Sequence, residues 1–371
     1  MTTPQLLAVQ AALNTVIDPE IGRPIADLGM VGPVTIDGTT VAVTILLTTP
    51  LCPLQGRLQA DVEAAVRTVE GVTDVTVTLT PMSEEQRAAL RARLSGAAHA
   101  IPFAQPGNRT RVIAVASGKG GVGKSSLTVN LACALAGLGY DVGLLDADIY
   151  GHSVPGLLGI PDGEGPTTIE GMNLILPVVA HGIKVISIGM MKPSRDQVVA
   201  WRGPVVDRAI TQFLSDVYWG DLDVLLIDLP PGTGDTAIGL GQKLPNASVI
   251  VVTTPQAAAT EVAERAGTMA NMMSQHVLGV VENMSYLEVT CPGCGQPQRL
   301  DVFGSGGGAR IAATLTNRLG YEVPLLAQIP LEPDLATAGD QGVPPVTAGN
   351  PSPATAAILA LATRLAAPDA A

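Results

Sequence analysis

SGKGGVGKSS, residues 117–126, is the stretch that decides the fold. An apolar run, RVIAVA (111–116), leads into it, and SLTVNLACALAG (126–137), rich in helix formers, leads away. A glycine turn between strand and helix lets backbone N–H groups face inward and approach an anion without side-chain obstruction, and the helix N-terminus adds positive potential. Gly118, Gly123, Lys124 and Ser125 have the spacing of a P-loop. It predicts a phosphate site built from Gly118, Lys119, Gly120, Gly121, Val122, Gly123, Lys124, Ser125 and Ser126. Lys124 would supply charge to the outer phosphates and Ser125 a hydroxyl ligand for Mg2+.

Outward from this turn, VGLLDAD (142–148), VLLIDLP (224–230), SVIVVTTP (248–255) and VLGVVEN (277–283) are short apolar runs that alternate with helical stretches. The pattern predicts an α/β P-loop NTPase domain over 111–371, with a mainly parallel sheet and helices on both faces. Asp228 closes one strand, where a carboxylate holds the magnesium shell directly or through water. Asp146 and Asp148 close another, placed to face the γ-phosphate and an attacking water. The tail ATAAILALATRLAAPDAA (354–371) reads as a docked helix.

Upstream the periodicity changes. Leu6, Val9, Leu13 and Val16 recur at helical spacing, PVTI and VAVTILL flank the turn DGTT, Leu54, Leu58, Val62 and Val66 mark a second helix, and VTDVTVTLT (72–80) alternates as a strand does. Residues 1–95 therefore read as a small αββαβ domain of α+β type. AAHAIPFAQPGNR (97–109) loses all periodicity, and 96–110 reads as a linker.

A formal charge of −12 with no basic stripe argues against nucleic acid as a partner. No apolar run approaches the roughly 20 residues of a membrane span, and the tail helix has Arg364 as its one base, so no membrane partner is expected. MTTPQLLAVQ has no secretory pattern, which predicts a cytoplasmic protein and reduced thiols for the four cysteines.

Lys119 is a second lysine inside the glycine turn. On this feature the chain resembles the deviant Walker-A ATPases, in which the matching lysine reaches across a two-fold axis to the nucleotide of the other subunit. The resemblance implies an ATP-sandwich homodimer. GKGGVGKSS, DADIYGHSVP, WRGP (201–204), DLPPGTGD (228–235), VENMSY with the following CPGCG, and FGSGGG (303–308) resemble the Mrp/ApbC type of iron–sulfur cluster carrier. DPEIGRPIADLGMV and LTTPLCPL resemble the SufT-type assembly domain. The resemblance implies slow, switch-like ATP hydrolysis, contact of Asn283 with adenine, and cluster transfer from donors to apo-proteins. A ParA/MinD-like spatial ATPase is the rival reading.

Cys291 and Cys294 offer two soft ligands, half of a four-thiolate site. If Lys119 signals a two-fold dimer, the same axis duplicates the pair. The resemblance implies a [4Fe–4S] cluster bridging two subunits, and a zinc-stabilised dimer would use the same four sulfurs. Cys52 stands at a candidate helix N-terminus, either reactive in cluster handling or simply buried, and Cys133 reads as core.

Overall fold

The computed structural model describes residues 3–19, 21, 23–47, 55–95, 100–148, 151–169, 174–191, 203–348 and 352–367. Cys52, Trp201 and Arg202 lie outside the described residues. The chain divides into two compact units, Met1–Ala100 with Thr167–Leu176, and Ile101–Pro166 with Pro177–Ala371.

In the smaller unit, α1 (Thr3–Leu13) is followed by β1 (Val31–Asp37), β2 (Thr40–Leu47), α2 (Gln55–Arg67), β3 (Asp74–Pro81) and α3 (Glu84–Ser95). The turn at Gly38 and Thr39 pairs β1 with β2 antiparallel, and β3 lies parallel to β2. Val41, Val43, Ile45 and Leu47 alternate into the core, and Leu58, Val62 and Val66 of α2, which packs on β3, are buried with them. Helix α3 is an addition to the αββαβ reading. Its signal was the capping box in SEEQ: Ser83 Oγ accepts from the Gln86 N–H, and the Gln86 side chain accepts from the Ser83 N–H.

The larger unit opens with β4 (Arg111–Ser117), α4 (Lys124–Gly137), β5 (Val142–Asp146) and α5 (Val154–Leu157). The short hairpin β6 (Thr167–Ile169) and β7 (Leu174–Leu176) groups with the smaller unit. Then come β8 (Val178–Ala180), β9 (Ile183–Ser187), α6 (Gly203–Ser215), β10 (Val224–Asp228), α7 (Asp235–Lys243), β11 (Ser248–Thr253), α8 (Ala257–Met272) and β12 (His276–Glu282). The chain ends with β13 (Leu287–Thr290), β14 (Pro297–Leu300), α9 (Gly307–Leu319), β15 (Leu325–Gln328), α10 (Pro333–Asp340) and α11 (Pro353–Ala366).

Among the described residues one eight-stranded sheet runs β15-β12-β11-β4-β10-β5-β9-β8, parallel except for the edge pair β8/β9. Every residue of β5 and β10 is buried. A strand buried on both side-chain faces requires cover on both sides of the sheet, and this is why these segments read as continuous apolar runs. The tail helix α11 is more than surface decoration. Ile358, Leu361 and Leu365 join the core cluster shared with Leu127, Leu131 and Leu135 of α4, and Tyr140 donates to the Ala366 carbonyl at 3.2 Å.

Candidate functional site

Strand order reverses at β4: chain connections go out to β10 and β5 on one side and to β11 and β12 on the other. Such a switch point leaves a crevice at the carboxyl ends of the strands. Here it is a cleft of about 1250 Å³ lined by Lys119 to Ser126, Asp148, Pro230, Pro231 and Asp235, among others. Helix α4 begins at Lys124 with Gly123 as its N-cap in the left-handed region (φ 78°). A β-carbon on Gly123 would stand 2.2 Å from Asn283 Nδ2, so side-chain crowding as well as backbone conformation requires glycine there.

Beneath the turn, Lys124 and Asp228 are both buried. Lys124 Nζ lies 2.6 Å from Asp228 Oδ1, and Ser125 Oγ donates to Asp228 Oδ2 at 2.6 Å. Thr128 Oγ1 is 3.0 Å from Asp228 Oδ1 and 2.8 Å from the Lys124 carbonyl, so its one proton serves both. The parallel register of β10 and β5 sets Asp228 beside Asp146, and neither is exposed at all. Asp146 accepts from Ser187 Oγ at 2.9 Å and from the Asp148 N–H at 3.0 Å. Burial first, and then the Asp228 carboxylate, push Asp146 up to about 8, against the pull of those two donors and Lys124. Asp148 accepts from the Gly151 N–H at 2.9 Å and faces the cleft.

Two expected residues have partners within the chain. Lys119 Nζ donates to Gln256 Oε1 at 2.7 Å, just before α8. Asn283, buried at the end of β12, donates through Nδ2 to the Val122 carbonyl at 2.9 Å. The amide that resemblance assigned to a base thus also grips the phosphate loop itself.

Cys291 and Cys294 sit on the turn between β13 and β14, closed by hydrogen bonds from Cys291 N to Gln296 O and from Gly295 N to Cys291 O, both 2.9 Å. The Cys294 and Gly293 N–H groups point at the Cys291 sulfur and, with the Cys294 thiol, hold its pKa below the usual range. Cys294 is exposed and Cys291 partly so. Among the described residues no group of three His, Cys, Asp or Glu is placed to hold a metal, so one chain offers this pair of sulfurs and no completed cage. Cys133 is buried in α4, its thiol pushed up to about 12 by burial.

The family model described as NUBPL iron-transfer P-loop NTPase matches residues 108–366. The chain belongs to that family. A second model, the iron–sulfur cluster assembly protein, matches residues 7–79. A Mycobacterium leprae relative named iron–sulfur cluster carrier protein is 52% identical over 358 residues, covering 96% of this chain and 91% of its own. One of the same name from Synechocystis is 42% identical over 361 residues, covering 97% and 96%. The cell-division ATPase MinD of Pyrococcus furiosus superposes with a TM-score of 0.50 at 22% identity, over 68% of this chain and 97% of its own, a likeness of fold.

Several members of this iron-transfer NTPase's site escaped the sequence reading. Thr128 could have been found, since it stands one helical turn after Lys124. Ser187 and Gln256 carry no motif signal; each is delivered by the end of a strand, β9 and β11, that neighbours the site in space.

Proposed function

We propose that this chain is an ATP-dependent iron–sulfur cluster carrier that works as a homodimer and delivers its cargo to apo-proteins in the cytoplasm. The observation that carries the proposal is the hairpin turn in which backbone amides favour the Cys291 thiolate, in the same unit as the P-loop. Two such turns related by a two-fold axis supply the four thiolates a [4Fe–4S] cargo takes.

The residues at the base of the cleft fit a magnesium ion. Ser125 Oγ and the Asp228 carboxylate are hard oxygen donors 2.6 Å apart, and the buried pair Asp146 and Asp228 has one lysine, Lys124, between them. When bound, magnesium supplies Lewis-acid charge to the outer phosphates. Lys124 exchanges its contact with Asp228 for the γ-phosphate side of ATP, and the amides from Gly120 to Ser126 cradle the phosphates. Asp148, fixed by Gly151, orients the attacking water. Lys119 leaves Gln256 to reach the partner's nucleotide, and Asn283 holds the loop while lying within reach of the base. ATP turnover then biases two arrangements of the dimer that differ in cluster affinity, the one source from which coupling can come.

The test is anaerobic reconstitution with iron and sulfide. Visible charge-transfer absorbance with about four irons per dimer is expected, lost in Cys291→Ser and Cys294→Ser. A colourless dimer that retains zinc would overturn the assignment.

A further inference from the structure

Asn283 and Cys291 are joined by a short stretch of chain, and both ends of that stretch are held. At the near end Asn283 Nδ2 donates to the Val122 carbonyl at 2.9 Å. A trans peptide carries C=O and N–H on opposite sides, so this grip also fixes the direction of the Gly123 N–H. Just upstream, Glu282 is fully buried and accepts from Ser285 Oγ at 2.6 Å, from Gln328 Nε2 at 2.8 Å and from the Gly308 N–H at 2.6 Å. That triple contact anchors the end of β12. The next residue after Asn283, Met284, has φ 53°, the left-handed region that a β-carbon disfavours. At the far end the Tyr286 carbonyl accepts from Leu331 N at 2.7 Å. Arg299 of β14 lies 4.1 Å over the Tyr286 ring and 3.5 Å from Glu288 Oε1 of β13.

We infer that Asn283–Tyr286 is a strap through which the phosphate loop sets the geometry of the cysteine hairpin, with Arg299 as the residue that positions the hairpin on it. This rests on the reading of the P-loop as a nucleotide site and of the hairpin as thiolate donor. Anything that rotates the Val122–Gly123 peptide must move Asn283 or break its hydrogen bond. Glu282 blocks relaxation upstream, so the displacement passes through Met284, the strap residue in the left-handed region, and carries Ser285 and Tyr286 together with the 329–331 segment, whose Ile329 carbonyl accepts from the Ser285 N–H at 2.9 Å and whose Leu331 N–H donates to the Tyr286 carbonyl. Arg299 couples Tyr286 to both strands of the hairpin, and Cys291 follows β13 directly. By reciprocity, a ligand on the sulfurs must shift nucleotide affinity by the factor with which nucleotide shifts theirs.

The experiment uses the full-length, reduced, metal-free chain. Alkylation rates of Cys291 and Cys294 are read by peptide mass mapping with and without saturating ATP and Mg2+, and nucleotide binding is titrated on the same samples. In the wild type ATP should change the rates by about threefold or more. Arg299→Met and Met284→Gly should bind nucleotide normally while the change shrinks to near unity, and Arg299→Lys, which keeps a cation over the ring, should restore most of it. Nucleotide-saturated wild type with unchanged rates, or an undiminished response in both Arg299→Met and Met284→Gly, would overturn the strap. Failure to bind nucleotide at all would instead count against the P-loop reading.

Discussion

The P-loop glycines are not equivalent, and alanine at three of them should separate the reasons. Gly120 has no positive φ and a β-carbon there would meet nothing within 4 Å; Gly121 has φ 78° but equally open space; Gly123 has φ 78° and the Asn283 amide at 2.2 Å. Gly120→Ala should leave folding stability unchanged or raise it by up to ~1 kcal/mol through a less flexible unfolded chain. Gly121→Ala should cost about 1–2 kcal/mol, the penalty of a left-handed β-carbon. Gly123→Ala adds the loss of the Asn283–Val122 hydrogen bond in a buried setting, about 1–3 kcal/mol more, for a total of roughly 2–5 kcal/mol. Urea unfolding followed by tryptophan fluorescence reads the right unit, because Trp219 is buried in the larger one and neither of the two tryptophans falls in residues 1–100 or 167–176. Asn283→Ala removes the obstructing amide, so the double variant should cost less than the sum of the singles by about 1 kcal/mol or more. If Gly123→Ala is no worse than Gly121→Ala, or the double variant is simply additive, Asn283 is not what this glycine makes room for.

Lys124→Met should destabilise the larger unit by about 3–5 kcal/mol in the same assay, because it leaves the fully buried Asp228 carboxylate without its cation; adding Asp228→Asn should recover most of the loss. Asp146 titrates near 8 in the fold and near 4 unfolded, so between those values the folded chain binds more protons and stability falls as pH rises. Asp146→Asn should remove this slope: unfolding free energies from urea titrations at pH 5, 6.5 and 8 should fall less in the variant than in the wild type, by an amount on the order of a few kcal/mol at most. Cys291 in the metal-free folded chain should alkylate several-fold faster at pH 7 than in urea-unfolded chain, since the Cys294 and Gly293 amides favour its thiolate.

Much of this was legible because parallel strands buried on both faces leave strong local marks. The P-loop, Asp228, Asp146 and Asp148 each sit at or just beyond the end of such a run, and their gathering at the carboxyl ends of adjacent strands is what residue type and spacing predict. What the sequence hid depends on the neighbour relations of the sheet. Ser187 reaches Asp146 because β9 pairs with β5, and Gln256 reaches Lys119 because β11 pairs with β4. Neither relation has a signature in a linear pattern, since Ser and Gln at strand ends are ordinary residues. The resemblance names Asn283 for a base contact, but its hold on Val122 spans 161 residues and is visible only in the fold.

Sheet order also explains how one unit comes to hold both the P-loop and the cysteine hairpin. The ends of β12, β11, β4, β10, β5 and β9, consecutive in the sheet, deliver Asn283, Gln256, the P-loop, Asp228, Asp146 and Ser187. In the proposed function five of these six strand ends serve the phosphate side alone. Strand β12 differs, because the chain leaving it runs through Met284 to Tyr286 and then into the cysteine hairpin. If ATP turnover drives cargo release as proposed, differential affinity requires that some element feel both ligands. Because β12 ends on the P-loop and its continuation ends on the thiols, the coupling asks for no long pathway through the core. It asks for one short segment whose two ends are gripped, with its strain concentrated at Met284 between them.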